Sequence, residues 1–338
     1  MKKRIIGICI FMLLITTSTP IFGTTTMPKS ICNVTSENNQ LLSNEKSLTN
    51  TVKLVLPHQT KIIFHHLLKR QYLLYVPSSY TGVTPVPLVV VFHGGPNTPE
   101  NASGRFGISE KAEEEGFIVA YANASEIMND FWMLGYGLFT ANLWVELVRL
   151  WINEEGYAKK IIRKTQRQFN INPDRIYLAG HSNGAMFSYL LASKLSNIVA
   201  AIASNGGCIG GHIKNYPMYT IPEPKNPVSI VIFHGKLDIM CPYDGGWNYE
   251  GSCYFKSVAE AVSFWVEHNE CNTIPITNDT FDITIDRYSG GTAGTEVLVY
   301  SLKHKGHIWF GGQPWEDPDP VISTTDEMWE FFKAHPKQ

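Results

Sequence analysis

The segment Gly180–Gly184, which reads Gly-His-Ser-Asn-Gly, carries the most specific chemical pattern in this chain. The apolar run Ile176–Ala179 predicts a buried strand before it, and the apolar spacing in Ala185–Leu195 predicts a helix after it. Ser182 is therefore expected on a sharp strand-to-helix turn, where glycine two residues to either side avoids a steric clash. Such a turn exposes the serine hydroxyl and places the Asn183 N–H at a helix N-terminus, where it can stabilise an oxyanion. The pattern predicts a nucleophilic serine.

A serine nucleophile needs a general base and an acidic residue that orients the base, and on such a turn the chain order is serine, acid, histidine. The apolar strand predicted at Ser229–Phe233 runs into His-Gly-Lys-Leu-Asp238. Asp238 is the predicted acid, because side chains that follow the carboxyl end of a buried strand reach the site. Asp244 is the alternative, but the two glycines after it are typical of a turn.

The predicted base lies between the last predicted strand and the final helix, in Leu302–Trp309, which contains two histidines. His307 follows Gly306, whose backbone freedom helps to present an imidazole across the sheet edge. His304 is the alternative and is expected on or near the strand. The order Ser182, Asp238, His307 satisfies the required topology.

A second oxyanion donor is predicted in Phe92–Pro96, which reads Phe-His-Gly-Gly-Pro after the continuously apolar strand 87–92. Glycine lets the backbone approach a developing oxyanion closely. We expect the donor to be the Gly94 N–H, with Gly95 as the alternative. A plain tight turn is the simpler interpretation of the same residues.

Three tryptophans, Trp132, Trp247 and Trp309, fall on loops expected at the carboxyl edge of the sheet. They could form the wall of an acyl or aryl pocket. Aromatic residues in long loops also form small cores of their own, and the sequence leaves both interpretations open.

Strands and helices alternate regularly from residue 88 onward, which predicts an α/β domain with a mostly parallel sheet and helices on both faces. Alternating apolar residues between 52 and 76 predict antiparallel strands at one edge. An insertion at 123–150 is rich in aromatic residues. With 338 residues and 44% hydrophobic content, a single domain over 51–338 is expected.

The N-terminus combines the basic Met1–Arg4 with an apolar run, Ile5–Ile15, that is too short to span a bilayer. This pattern predicts a signal peptide at 1–23, followed by a polar, disordered leader at 24–50 and a secreted or periplasmic protein. A retained N-terminal anchor is the alternative. Removal of the signal changes the formal net charge from −2 to −5, which argues against nucleic acid or an anionic membrane as partner, and no stable membrane insertion is expected.

Five cysteines remain after the predicted signal, so at least one thiol is unpaired. The predicted bridge lies among Cys208, Cys241 and Cys253, which occur in loops near the site, although connectivity cannot be derived from sequence. No spacing of cysteine or histidine suggests a metal, and no cofactor is expected.

Four motifs together closely resemble the secreted polyhydroxybutyrate depolymerase and feruloyl esterase group of α/β-hydrolases. They are the segments 89–95, 171–185, 232–246 and 306–309, and the resemblance covers about residues 60–335. It implies the α/β-hydrolase fold and a triad formed by Ser182, Asp238 and His307. Lys305 and Phe310 depart from the family pattern. The usual partner of the cysteine that matches Cys271 is also absent, so Cys271 is the expected free thiol.

The sequence therefore predicts an exported serine esterase that acts on small or polymer-attached esters, either aryl esters or short hydroxyalkanoyl esters. A serine peptidase of the prolyl-oligopeptidase type would share the triad, but such enzymes normally carry an additional gating domain. A hydrolase-fold protein without catalysis that binds carbohydrate or a surface partner is the non-enzymatic alternative.

Overall fold

The computed structural model describes residues 58–65, 68–128, 130–132, 134, 151–213 and 216–338. These residues belong to one compact unit, Leu54–Gln338. The predicted signal peptide, the predicted leader, the strand expected at 52–56 and most of the insertion at 123–150 lie outside the described residues.

Fourteen strands form two sheets in the described part of the chain. They are β1 (Gln59–His65), β2 (Leu68–Tyr75), β3 (Val86–Phe92), β4 (Ile118–Ala122), β5 (Ile171–His181), β6 (Ala201–Asn205), β7 (Gly210–Ile213), β8 (Tyr219–Thr220), β9 (Ser229–Gly235), β10 (Gly246–Trp247), β11 (Cys253–Phe255), β12 (Ile276–Asp279), β13 (Ile283–Tyr288) and β14 (Val297–Leu302). The large sheet has ten strands in the order β1-β2-β4-β3-β5-β6-β9-β14-β13-β12. Its central strands, from β4 to β14 in that order, pair in parallel, and the outer strands at both ends pair antiparallel.

Six α-helices with both ends in the described part of the chain flank the large sheet. They are α1 (Pro99–Arg105), α2 (Ile108–Glu115), α3 (Glu154–Gln168), α4 (Asn183–Lys194), α5 (Val258–His268) and α6 (Thr324–Ala334). Residues of α3, α4 and α5 share one hydrophobic core with alternate side chains of the central strands, such as Val90 and Leu178. Residues of α1, α2 and α6 share a second core with the other side chains, such as Val89 and Tyr177. The predicted α/β arrangement, with helices on both faces, is confirmed.

Burial explains why the central strands could be recognised in the sequence. Every residue of β4, β6, β9 and β14 is buried, as expected for parallel strands covered by helices on both faces. In contrast, all four residues of the edge strand β12 are exposed, and this strand was not predicted.

A smaller antiparallel sheet, in the order β10-β11-β7-β8, is built from the segments that follow β6 and β9. Glycines bring its backbones together, since a methyl group on Gly211 would lie 2.2 Å from the Tyr254 carbonyl oxygen. The sequence analysis did not predict this sheet. Within the described ranges, no helix is long and apolar enough to cross a membrane.

Candidate active site

Ser182 lies between β5 and α4 with backbone angles of φ 56° and ψ −123°. A non-glycine residue at positive φ costs of order 1–3 kcal/mol, so the surrounding structure must impose this conformation. A methyl group on Gly180 would lie 2.3 Å from the Gly184 carbonyl oxygen, and one on Gly184 would lie 2.2 Å from the Phe92 carbonyl oxygen. The Ser182 N–H donates to the Asn205 carbonyl at 2.9 Å, which fixes the turn to β6. The strand-to-helix turn expected from the sequence is therefore present, and both glycines are sterically required.

Asp238 follows β9, and its carboxylate is buried within reach of several donors. Its Oδ2 accepts a hydrogen bond from His307 Nδ1 at 2.6 Å. Its Oδ1 accepts from the backbone N–H groups of Met240 and Cys241, at 2.9 and 2.8 Å. Burial alone would raise the pKa of this carboxyl, but hydrogen bonds from His234 and His307 outweigh it and hold the pKa well below its usual range. Asp238 is thus ionised wherever an imidazole base works.

The alternative acid and base occupy different surroundings. Asp244 is exposed in a turn, where the Gly245 N–H donates to the Pro242 carbonyl at 2.9 Å. His304 is exposed beside the ring of Phe281, with ring centroids 5.0 Å apart. The structure therefore pairs Asp238 with His307.

The loop that carries His307 is anchored from two sides. Lys305 Nζ donates to the buried carboxylate of Asp317 at 2.6 Å and to the Asp319 carbonyl at 2.7 Å. The Leu237 N–H donates to the Lys305 carbonyl at 3.0 Å, which joins this loop to the one that bears Asp238. Lys305, which departs from the family pattern, thus fixes the His307 loop by an ion pair.

The serine turn and the histidine loop meet around His181 and Gly206. The rings of His181 and His307 lie 4.9 Å apart between centroids. A methyl group on Gly206, which has φ +61°, would lie 3.2 Å from the His307 ring and 3.6 Å from Asp238 Oδ2. Ser182 adjoins His181 in the chain, so the three predicted residues converge on one end of the sheet. The hydrogen bond from Ser182 Oγ to His307 Nε2 stays a prediction.

The segment after β3 lies directly against the serine. A methyl group on Gly94 would lie 3.3 Å from Ser182 Cβ, whereas one on Gly95 would lie 2.2 Å from the Phe131 ring. Gly94 is therefore the glycine that faces the serine. His93 stiffens this segment, because its Nδ1 donates to the Gly94 carbonyl at 2.8 Å and its Nε2 accepts from the Ala124 N–H at 3.2 Å. Burial lowers the pKa of His93, which favours the neutral ring that this pair of bonds requires.

Asn183 is the first residue of α4, the position expected for an oxyanion donor. Its side chain is bound to the backbone of Trp132, accepting from the Trp132 N–H at 2.7 Å and donating to the carbonyl at 3.3 Å. The side-chain amide is thus held on the Trp132 backbone, and the backbone N–H of Asn183 is the candidate oxyanion donor.

Two of the three predicted pocket tryptophans are core residues. Trp132 is 1% exposed, stacks on Phe187 at 4.9 Å and donates from Nε1 to the His93 carbonyl. Trp309 is fully buried and stacks on Phe106 at 4.2 Å. Of the two interpretations that the sequence left open, the structure favours a core role over a pocket wall for Trp132 and Trp309, because the indole N–H of each is hydrogen-bonded within the protein. Trp247, on β10, is 44% exposed and can still contact a substrate.

Sequence analysis missed two buried histidines of this site. His234 Nε2 lies 3.3 Å from Asp238 Oδ2, and the spacing His-Gly-x-x-Asp was the available signal. His181 immediately precedes the serine, and burial holds its pKa well below the usual range.

Cys208, Cys241, Cys253 and Cys271 are free thiols in the structure. The bridge predicted among the first three is therefore not formed in it, although Cys208 and Cys241 are close enough to interact within one core. Cys271 is unpaired as well. Among the residues described, no group of three or more histidine, cysteine, aspartate or glutamate side chains could hold a metal ion.

Known proteins similar to this chain are esterases. The bifunctional acetylxylan esterase/xylanase of Neocallimastix patriciarum is 26% identical over 249 residues, covering 72% of this chain and 30% of that protein. Feruloyl esterase B of Piromyces equi is 22% identical over 242 residues, covering 70% of this chain and 42% of that protein. The chain thus matches less than half the length of either relative. No protein-family model matches the sequence.

Among solved structures, the acetyl xylan esterase from Aspergillus awamori superposes with a TM-score of 0.57 at 14% identity, covering 81% of this chain and 99% of that one. At this identity the likeness concerns the fold. The comparisons confirm that the chain has the α/β-hydrolase fold and that it resembles the feruloyl esterases of that group, as its motifs indicated, and they add a similarity to acetylxylan esterases.

Proposed function

We propose that this chain is an exported serine esterase in which Ser182, His307 and Asp238 act together on a carboxylic ester. The observation that carries the proposal is the 2.6 Å hydrogen bond from His307 to an ionised, buried Asp238. It occurs at the same end of the sheet as a serine on a strained, glycine-flanked turn. The esterase names of the similar proteins support the same reaction class.

The reaction begins when Ser182 Oγ attacks the ester carbonyl carbon and its proton passes to His307 Nε2. The carbonyl oxygen becomes an oxyanion, which accepts hydrogen bonds from the backbone N–H groups of Asn183 and Gly94. Collapse expels the alcohol, which takes the proton from His307 and leaves an acyl group on Ser182. Water then attacks this acyl group, gives its proton to His307, and the carboxylic acid leaves as Ser182 recovers its proton.

Asp238 has a positional and an electrostatic part in this cycle. By accepting the Nδ1–H of His307, its carboxylate leaves Nε2 as the basic nitrogen and stabilises the imidazolium that forms. The two backbone donors on Oδ1 keep the other oxygen directed at His307. Each oxyanion donor is expected to contribute about 100-fold to 1,000-fold in rate.

The substrate we propose is an acetyl or feruloyl ester, small or attached to a plant polysaccharide, by analogy with the named relatives. Trp247 and Tyr249 are exposed on the segment that follows Asp238, and the Tyr249 backbone N–H donates to the Ile239 carbonyl at 3.0 Å. An aromatic surface next to the acid loop suits an aryl or sugar group. Export rests on the basic and apolar N-terminal segment, and the N-terminal sequence of protein recovered from the culture medium tests it.

The test is hydrolysis of p-nitrophenyl acetate, methyl ferulate and acetylated xylan by the wild type and by Ser182→Ala. The matched control is Ser193→Ala, which removes a buried hydroxyl of α4 that is bonded to the Pro222 carbonyl. We expect activity in the wild type and the control and none in Ser182→Ala. Equal activity in all three would contradict the assignment of Ser182, and inactivity of the folded wild type on every ester would favour the non-catalytic binding protein.

A further inference from the structure

His234 is a second imidazole at the carboxylate of Asp238. It lies at the end of β9 and is 1% exposed. Its Nε2 is 2.8 Å from the Cys241 carbonyl oxygen and 3.3 Å from Asp238 Oδ2. Because a carbonyl oxygen only accepts, Nε2 must carry a proton, and that proton is shared between the carbonyl and the carboxylate.

The loop 235–241, which follows His234 in the chain, therefore folds back over the His234 imidazole. His234 binds this loop at two points, the Asp238 carboxylate and the Cys241 carbonyl. The carboxylate receives two backbone donors on Oδ1, while its Oδ2 lies between the rings of His234 and His307. The Asp238 Oδ2 atom is therefore held from two sides, by His307 on one side and by His234 on the other.

The ring of His234 is itself held by packing. It lies edge-on against Tyr243, with ring centroids 5.7 Å apart and an interplanar angle of 87°. Tyr243 is fixed in turn by a 2.7 Å hydrogen bond between its hydroxyl and Ser301 Oγ on the neighbouring strand β14. His234 Nδ1 has no partner among the described residues, so the hydrogen bonding of this ring is confined to the acid loop.

We propose that His234 is the positioning residue of the acid loop, holding Asp238 Oδ2 in line with His307 Nδ1. The inference rests on the proposed function, since it assigns His234 a role in the same reaction. It also predicts a consequence for pH dependence that simple loss of packing would not produce.

Four titratable groups face Asp238, namely His234 from β9, His307 from the loop after β14, His181 from β5 and the thiol of Cys241. Burial opposes ionisation of Asp238, and the hydrogen bonds from His234 and His307 outweigh it. Removing His234 leaves Asp238 buried but takes away one of the hydrogen bonds that stabilise its ionised form. The pKa of Asp238 must therefore rise. The contribution of ionised Asp238 to stability at neutral pH, and its loss in acid, should then be smaller than in the wild type.

The experiment measures kcat and KM between pH 4 and 9 for the wild type, His234→Phe and His234→Gln. Phenylalanine keeps the ring but removes the donor, whereas glutamine places an amide N–H near the position of Nε2. His335→Phe is the matched control, because it also removes a buried imidazole bonded to a backbone carbonyl, that of Phe331, without contacting Asp238.

For His234→Phe we expect kcat to fall about 10-fold to 100-fold at pH 7 with KM little changed, as for a displaced catalytic group. We also expect the decline of its unfolding free energy in urea between pH 4 and pH 3 to be shallower than for the wild type and the control, because the pKa of Asp238 moves toward its unfolded value. His234→Gln should recover most of kcat and the wild-type pH dependence of unfolding. If His234→Phe does not fold, His234→Asn replaces it with the same expectations, because its shorter amide cannot reach Asp238.

A wild-type kcat, or a wild-type pH dependence of unfolding, in the folded variant that lacks the donor would overturn the proposal. So would a His234→Gln variant no better than His234→Phe. Failure of the proposed function is distinguishable, since the wild type itself would then hydrolyse no ester.

Discussion

The serine turn and the acid loop adjoin each other at one end of the sheet, yet different forces fix their shapes. Around Ser182, contacts between backbones decide the conformation, since no space exists for a methyl group at Gly180 or Gly184. Around Asp238, hydrogen bonds decide it, with donors from two backbone N–H groups and two imidazoles. A region whose shape depends on close backbone contacts should lose all activity when a single methyl group is added. A region held by hydrogen bonds should lose activity in steps and in a pH-dependent way.

The largest effect is expected from Gly184→Ala, which breaks the serine turn by sterics alone. The added methyl would lie 2.2 Å from the Phe92 carbonyl oxygen, so β3 and the start of α4 must separate. We expect no measurable hydrolysis of p-nitrophenyl acetate and a lower melting temperature. Gly104→Ala is the control, because nothing lies within 4 Å of a methyl group there. Wild-type activity in Gly184→Ala would show that the turn is not sterically determined.

Asp238→Asn should leave the acid loop folded but lower kcat by about 10,000-fold, because an amide in place of the carboxylate favours the wrong tautomer of His307. Steady-state kinetics at pH 7 measure the loss. Circular dichroism establishes that the fold is retained. A loss of less than tenfold would mean that another group orients His307.

The same carboxylate should link stability to pH. Its pKa is lower in the folded protein than the value of about 3.9 usual for an unfolded chain, so ionised Asp238 stabilises the fold above that pH. This contribution is lost as the pH falls from about 4 toward the lower folded-state pKa. Urea unfolding between pH 7 and pH 3 should therefore show a steeper decline for the wild type than for Asp238→Asn. Parallel declines would contradict the origin assigned to the low pKa.

A smaller effect is expected from Lys305→Met, which removes the cation bound to the buried Asp317. Losing a hydrogen bond to a charged group costs about 2 kcal/mol, and the His307 loop should become less ordered. Chemical unfolding and kcat measure the two consequences. The control is Lys303→Met, since its partner Asp279 is exposed and such pairs contribute about 0–1 kcal/mol. Equal effects of the two substitutions on stability and kcat would contradict the proposed anchoring role of Lys305.

The contrast between the two regions also explains what the sequence could predict. The serine turn was recognisable because its sterics require glycines at fixed spacing, and the central strands because burial on both faces requires continuous apolar runs. These constraints act between residues that are close in the sequence, so the residue pattern alone reveals them.

What the sequence could not provide depends on contacts between distant segments. The roles of Trp132 and Trp309 stayed open because their partners, Phe187 and Phe106, come from other elements. The contact of His234 with Asp238 depends on the way the loop folds back. The small sheet was missed because β8 and β10 have only two residues each, too few to show a period.

The most direct test of the central claim is covalent labelling of the wild-type protein with a fluorophosphonate, followed by peptide mass spectrometry. We expect one adduct, on Ser182, that is abolished by Ser182→Ala and slowed strongly by Asp238→Asn. An adduct on another residue, or no adduct on the folded protein, would contradict it.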